Sequence, residues 1–366
     1  MEPSRAVGDN SYSEKSVSRT TLPTPVVGSY DLTTPCIASA FLLSACSCSD
    51  AAYAPQYGRY RSYPLSGEFA ALARLASGLG PLAPPEVGIG DDAAVVAAPP
   101  GGFLVLAADA VVAGVHADLN LSGLDDLGWK AVAVNVSDIA AMGGCPGHLL
   151  VTVCGPPDTD LDLLYRGIAE AAEAWECPVV GGDLANAAVV VVSVAITGSL
   201  TGPPILRSGA RAGDGIWVTG PLGLAAAGLR VLKELGKGAT GRAADAHRRP
   251  RPSVPDGLAA RAAGATAMID ISDGLAADLG HLADASGVGL EVDVVPIGPG
   301  ATEGEALTGG EDYVLAFTAA DDDMVLAAFS GLTPPIRIGT CLPDPRVRRV
   351  LGRPFPNVGG WEHRWA

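Results

Sequence analysis

The sequence predicts an α/β (α+β) protein with two globular domains, at about residues 66–200 and 205–366, behind a polar N-terminal extension. Three observations lead there. Strand-length runs rich in valine and alanine alternate with segments whose apolar residues recur at helical spacing. The chain of 366 residues has room for about two domains of ordinary size. A stretch of Gly, Pro and Arg from 198 to 215 separates two halves, each opening a new series of strands and helices.

The elements follow in order. Residues 1–62 are rich in Ser, Thr, Pro and Tyr without a clear period, and read as a disordered extension or as translation from a start codon upstream of the natural one. From Phe69 onward Phe69, Leu72, Leu75, Ala76 and Leu79 take helical spacing. Residues 103–108 read as a buried strand ending at Asp109. Residues 124–142 read as a helix with Trp129, Val132, Val136 and Ile139 on one face; Asp125 and Asp126 suit the positive end of its dipole. A strand at 149–154, a helix at 160–176 stopped by Pro178, a short strand at Val179-Val180 and a long strand at 189–197 complete the first half. The second half is predicted to hold strands at 216–219, 267–271, 290–295, 313–317 and 336–339, with helices at 224–235, 256–263 and 275–285. The polar, basic stretch 236–255 reads as a loop.

Hydrophobic residues make up 48% of the chain and aromatics only 5%, so the core is built from small and β-branched side chains, which suits closely packed α/β layers. The net charge of -16 argues against nucleic acid and anionic membranes as partners. An acidic protein still binds phosphates when its carboxylates hold Mg2+ and the metal holds the phosphate. Seven irregularly spaced cysteines point to reduced thiols and a cytoplasmic location. Leu43-Ser44-Ala45-Cys46 faintly resembles a lipoprotein cleavage site, but Glu2, Asp9, Glu14 and Asp31 before it fit a signal peptide poorly. The uncharged stretch 184–206 contains Asn186, Pro203 and Pro204, and reads as a strand and turn rather than a membrane span.

No G-x-x-x-x-G-K-[ST] phosphate loop occurs. Gly88-Ile89-Gly90-Asp91-Asp92-Ala93 loosely fits a dinucleotide fingerprint, but two carboxylates in that turn would repel a pyrophosphate. What stands out is acids at expected strand ends beside glycine or another small residue: Asp91, Asp92, Asp109, Asp138, Asp183, Asp270 and Asp273. One such Asp is ordinarily a cap or turn residue. Caps need no neighbouring glycine, whereas close backbone approach to a phosphate does, so the series also fits a cluster for several Mg2+ ions. Arg207 and Arg211 are either a solvated pair or guanidinium groups for a phosphate. His116, after glycine in an apolar stretch, is by itself more often structural than a ligand. No Ser-His-Asp, Cys-His or zinc arrangement emerges from the spacing.

In order along the chain these motifs resemble the thiamine-monophosphate kinase family, within the superfamily of aminoimidazole ribonucleotide synthetase. The matching segments are Gly67-Glu68-Phe69, the 88–93 turn, Asp109 with Gly114-Val115-His116, the stretch 130–143 around Asn135-Val136-Ser137-Asp138, and Gly181-Gly182-Asp183. Arg207-Ser208-Gly209-Ala210, Asp270-Ile271-Ser272-Asp273-Gly274-Leu275, Thr308-Gly309-Gly310-Glu311-Asp312-Tyr313 and Gly359-Gly360-Trp361 follow. Each is weak alone; nine in order, covering about residue 66 to the end, are specific.

The resemblance implies the two-domain aminoimidazole ribonucleotide synthetase-like fold, in a homodimer whose N-terminal sheets join into a barrel. It implies ATP-dependent conversion of thiamine monophosphate to thiamine diphosphate. By analogy Asp92, Asp109, Asp138, Asp183, Asp270 and Asp273 hold Mg2+; Gly182, Asp183, Arg207 and Ser272, with Tyr165 as a further candidate, contact ATP; His116, Glu311 and Trp361 line the thiamine-phosphate site. No single general base is expected, because the attacking phosphate oxygen is already ionised at neutral pH. Trp361 would offer an aromatic face to the cationic thiazolium, or else cap the core. The sequence departs from the family at Ala107-Ala108, where a hydroxyl pair usually precedes the aspartate, at Leu184, where Thr often follows Gly-Gly-Asp, and in the turn Gly220-Pro221-Leu222-Gly223-Leu224, which has leucine where an acid is common. These departures leave open the number of metal ions. They also leave two alternatives: another ATP-dependent enzyme of the superfamily, or a nucleotide-binding relative without catalysis.

Overall fold

The computed structural model describes residues 102–356, all within one compact unit, Tyr53–Ala366. The expectations for the extension, the helix from Phe69, Asp91, Asp92 and Trp361 fall outside the described residues. The first half is β1 (Phe103–Val112), α1 (Leu124–Ala141), β2 (Cys145–Gly155), α2 (Leu161–Ala174), β3 (Val179–Asn186) and β4 (Val191–Leu200). Its strands form a mixed sheet in the order β1-β4-β2-β3, antiparallel except for β2 with β3.

The second half is β5 (Gly215–Val218), α3 (Leu224–Leu235), α4 (Arg242–Arg248), α5 (Val254–Ala262), β6 (Ala267–Asp270), α6 (Leu275–Ser286), β7 (Gly289–Val292), α7 (Glu303–Thr308), β8 (Leu315–Ala319), α8 (Asp322–Ala328), β9 (Ile336–Leu342), β10 (Arg348–Val350) and β11 (Arg353–Pro354). Its seven strands run β11-β10-β7-β9-β5-β8-β6, with β7 and β10 parallel.

The central helix α1 is buried nearly all round, not on one face. Trp129, Val132, Val136 and Ile139 are at most 3% exposed, but Ala131, Ala133 and even Lys130 are buried as well. The reason is its position: α1 packs on β1, β2 and β4, against α2, and against α5 and β6 of the second half. One apolar cluster therefore runs from Val111, Val136 and Ile196 to Trp217 and Phe317 in the second sheet.

Several boundaries move for identifiable reasons. β1 continues past Asp109 because β4 pairs with it from Phe103 to Val112. Gly181, Gly182 and Asp183 lie inside β3, opposite Leu150, Val151 and Thr152. A Cβ on Gly182 would sit 1.8 Å from the Val151 carbonyl oxygen, so only glycine allows that approach. Asp138 lies within α1 and Asp109 and Asp183 within strands; of the described acids expected at strand ends, Asp270 closes one.

The basic stretch expected to be a loop contains α4 and clasps the first half. Arg249 donates to Asp126 at 2.7 Å, to Asp125 at 3.0 Å and to Glu170 at 2.5 Å. Trp129 donates from Nε1 to the Pro250 carbonyl at 2.8 Å, and the Arg251 guanidinium lies 4.7 Å from the Trp129 ring centre. The short helices α7 and α8 and strands β10 and β11 also went unpredicted. α7 did carry a local signal: Thr302 and Glu305 form a capping box.

Candidate active site

A cleft of about 660 Å³ opens where the first sheet, α1, α3 and the loops after β6 and α7 converge. Asp109 and His116 line it from the first half; Ser272, Asp273 and Glu311 line it from the second. Local bonds set each of these groups. Asn135 on α1 accepts the Asp109 backbone N–H at 3.0 Å and donates to the Ala131 carbonyl at 2.9 Å, which fixes β1 against the helix. His116 accepts the Val112 N–H at Nδ1, at 3.0 Å. Asp278, in the first turn of α6, accepts the N–H groups of Asp273 and Gly274 at 3.0 and 3.1 Å, which shapes the loop carrying Asp273.

The loop at 309–313 is held more tightly still. Glu311 and Tyr313 both have positive φ, 68° and 50°, a costly backbone state for residues other than glycine. Neighbours hold it there: Glu311 N–H donates to the Ser272 carbonyl and Tyr313 N–H to the Ile271 carbonyl, each at 2.8 Å. Between them Asp312 reaches the N-terminus of α3, accepting the N–H of Gly223 at 2.5 Å and of Ala225 at 3.1 Å. Gly223 has no side chain to cap that helix, so Asp312 does so from 89 residues away. Gly310 is needed beside it, because a Cβ there would meet the Ser272 carbonyl oxygen at 2.3 Å.

The carboxylates interact. Burial raises the Asp138 carboxyl to about 7, aided by repulsion from Asp270 and Asp109 and opposed by Arg207. Burial likewise raises Asp270, which the Ser137 hydroxyl steadies with a 2.6 Å hydrogen bond. Asp109 is raised by burial, and His116 opposes the shift. Asp109, Asp138 and Asp270 thus form one coupled acidic group with Arg207 in electrostatic range. Such oxygen donors, costly to ionise together, fit a divalent cation that would neutralise them. Among the described residues no three carboxylate, imidazole or thiol groups are gathered into a ready cage for a metal ion.

Other predicted residues stand apart. Asp183 is exposed on β3 and Tyr165 is buried in the first-half core; neither lines the cleft. Burial raises the Tyr165 hydroxyl to about 12. Two cleft residues were missed by the sequence reading. Lys130, only 2% exposed, lies against Glu311, and His247 on α4 joins them. A lysine amid Val and Ala on a central helix was a readable signal; a histidine in a basic stretch was not. Burial, helped by Lys130, Arg248 and Lys233, lowers the His247 imidazole to about 3 although Glu311 lies 3.3 Å away. Desolvation and three cations outweigh that one carboxylate, which Lys130 already engages, and the ring is neutral.

Comparison with known proteins accords with this architecture. Residues 90–200 match the N-terminal domain, and residues 211–352 the C-terminal domain, of the AIR synthase related protein family. A thiamine-monophosphate kinase of Mycobacterium tuberculosis is 37% identical over 315 residues, spanning 81% of this chain and 91% of its own. The chain belongs to the thiamine-monophosphate kinase family. The crystal structure of the kinase of that name from Stenotrophomonas maltophilia superposes with a TM-score of 0.69 at 35% identity, over 78% of this chain and 97% of that one. A ThiL solved with AMPPCP and TMP superposes with a TM-score of 0.65 at 31% identity, over 73% of this chain and 89% of its own.

Proposed function

We propose that this chain transfers the γ-phosphoryl group of ATP directly to thiamine monophosphate, giving thiamine diphosphate and ADP. The observation that carries the reading is the likeness of the whole described fold to a ThiL that holds AMPPCP and TMP together. In the reaction a phosphate oxygen of thiamine monophosphate attacks the γ-phosphorus, and the bond from that phosphorus to the β,γ-bridging oxygen breaks. The attacking oxygen is ionised near pH 7, so the transfer calls for no general base.

Asp109, Asp138, Asp270 and Asp273, with Asp183 and Asp92, are the residues that would hold Mg2+. When bound, the metal supplies charge neutralisation between two polyanions and alignment of the attacking and leaving oxygens. Ser137 and Asn135 keep the acids in register, and Arg207 adds positive charge on the ATP side with Gly182 and Ser272. His116, Glu311 and Trp361 serve the thiamine-phosphate end.

The reading includes a homodimer. The sheet face away from α1 exposes Leu104 at 51%, Leu106 at 69% and Leu150 at 45%, an apolar surface suited to a second copy. A cytoplasmic location fits the acidic charge and the cysteines among the described residues, which form no disulfide; among those residues no helix is long and apolar enough to cross a membrane. The decisive test is thiamine diphosphate formation by purified protein with Mg-ATP and thiamine monophosphate, beside Asp109→Asn. Product from the wild type alone supports the kinase and its acidic group together. A folded wild type without product points to a related acceptor or to binding without turnover.

A further inference from the structure

The Glu311 side chain is clamped by two groups that phosphoryl transfer itself does not require. Lys130 donates from Nζ to both carboxylate oxygens at 3.0 Å and to the His116 carbonyl at 3.2 Å. His247, 4% exposed, places Nδ1 3.3 Å from Oε2 of the same carboxylate. Lysine is almost never fully buried unless it is paired. Here the pairing ties together two residues, His116 and Glu311, that line one cleft from opposite halves of the chain.

We propose that Lys130 and His247 are positioning residues that present Glu311 as a fixed acceptor to an N–H group on the non-phosphate end of the substrate. This rests on the kinase reading above and deepens it. A carboxylate has about four lone-pair positions. Lys130 takes one on each oxygen and the His247 ring closes off Oε2 from 3.3 Å, which leaves one open on Oε1. Within the clamp a positive lysine, a negative glutamate and a neutral histidine sum to zero, so the clamp itself offers a placed acceptor and not a centre of net charge. It selects by geometry, for a ring amine or amidine. The phosphate is assigned to Asp109 and Asp273, where bound cations would meet it. The strained φ of Glu311 serves the same purpose, fixing the backbone as the clamp fixes the side chain.

The test combines steady-state kinetics with calorimetric binding of thiamine monophosphate. Lys130→Met keeps the stem and removes the ammonium; the KM and Kd for thiamine monophosphate rise about tenfold or more, while the KM for ATP changes less than about twofold. His247→Asn, whose amide can set an N–H near the Nδ1 position, stays within about threefold, and His247→Phe loses about tenfold. In a Glu311→Gln background Lys130→Met adds less than about twofold, because the lysine acts through the glutamate. The proposal is overturned by a folded Lys130→Met with unchanged affinity, by equal losses for ATP and thiamine monophosphate, or by full additivity with Glu311→Gln. Should Lys130→Met fail to fold, the histidine pair decides: equal behaviour of Asn and Phe refutes the clamp. Wild-type protein that neither binds nor phosphorylates thiamine monophosphate overturns the kinase reading instead, and the assignment of substrate ends with it.

Discussion

Replacing Asp138 with asparagine should stabilise the metal-free protein while abolishing its kinase activity. The Asp138 carboxyl is raised to about 7, first by burial and then by Asp270 and Asp109. Its unfolded value is about 3.9, so the shift is about three units, and each unit is worth about 1.4 kcal/mol. For this acid the native state binds more protons than the unfolded state between about pH 4 and 7. Stability is therefore fully present below pH 4 and falls as pH rises through 7. At pH 8, in EDTA, ionised Asp138 costs the fold up to about 4 kcal/mol; an effective dielectric above that of a dry interior brings the expected gain in Asp138→Asn to about 2–3 kcal/mol. Urea unfolding at pH 8 and pH 5, in EDTA and in Mg2+, measures it. The variant should be more stable than wild type at pH 8 in EDTA, with the difference shrinking at pH 5. Added Mg2+ should stabilise wild type more than the variant, since binding to the native state alone shifts the equilibrium by mass action. A variant that is less stable than wild type at pH 8 in EDTA would falsify the picture of a mutually repelling acidic group.

Three further outcomes test other parts of the structure. Asp312→Ala removes the remote cap of α3 and should lower unfolding free energy by about 1–3 kcal/mol at constant m-value, with a raised KM for thiamine monophosphate as the Glu311 loop relaxes. Gly182→Ala forces a Cβ onto the Val151 carbonyl; soluble yield should collapse or stability drop by more than about 4 kcal/mol, and a normal protein would mean that β2 and β3 do not pair in this register. His247 is held neutral with its value lowered to about 3, so the unfolded chain binds the extra proton between about pH 6.5 and 3 and stability is lost as pH falls through that window. His247→Gln should flatten that part of the acid-unfolding profile, and an unchanged slope would show that the imidazole is solvated.

The stronger helices and strands were legible because their cause is local. Periodic apolar residues mark α3, found at 224–235 as expected, and valine runs mark β2 and β4. The acids and their glycines were legible as a set; Asp109, Asp138 and Asp270 act on one another, and Asp109 and Asp273 line the cleft. Their settings were not. Nothing around Asp138 says that it lies mid-helix against Asp270, 132 positions on; the repulsion that raises it exists only once α1 and β6 pack together. The basic stretch 236–255 looked like solvated loop because its partners, Asp125, Asp126 and Glu170, lie far back in the chain. Helix α3 looked uncapped for the same reason, with Asp312 arriving from beyond β6 and α7. Sequence alone thus determined which residues carry charge and where the chain turns regular, since propensity and periodicity act over a few neighbours. The tertiary structure decided which charges are buried, which are paired and which face the cleft, because burial and ion pairing depend on distance in space and not along the chain.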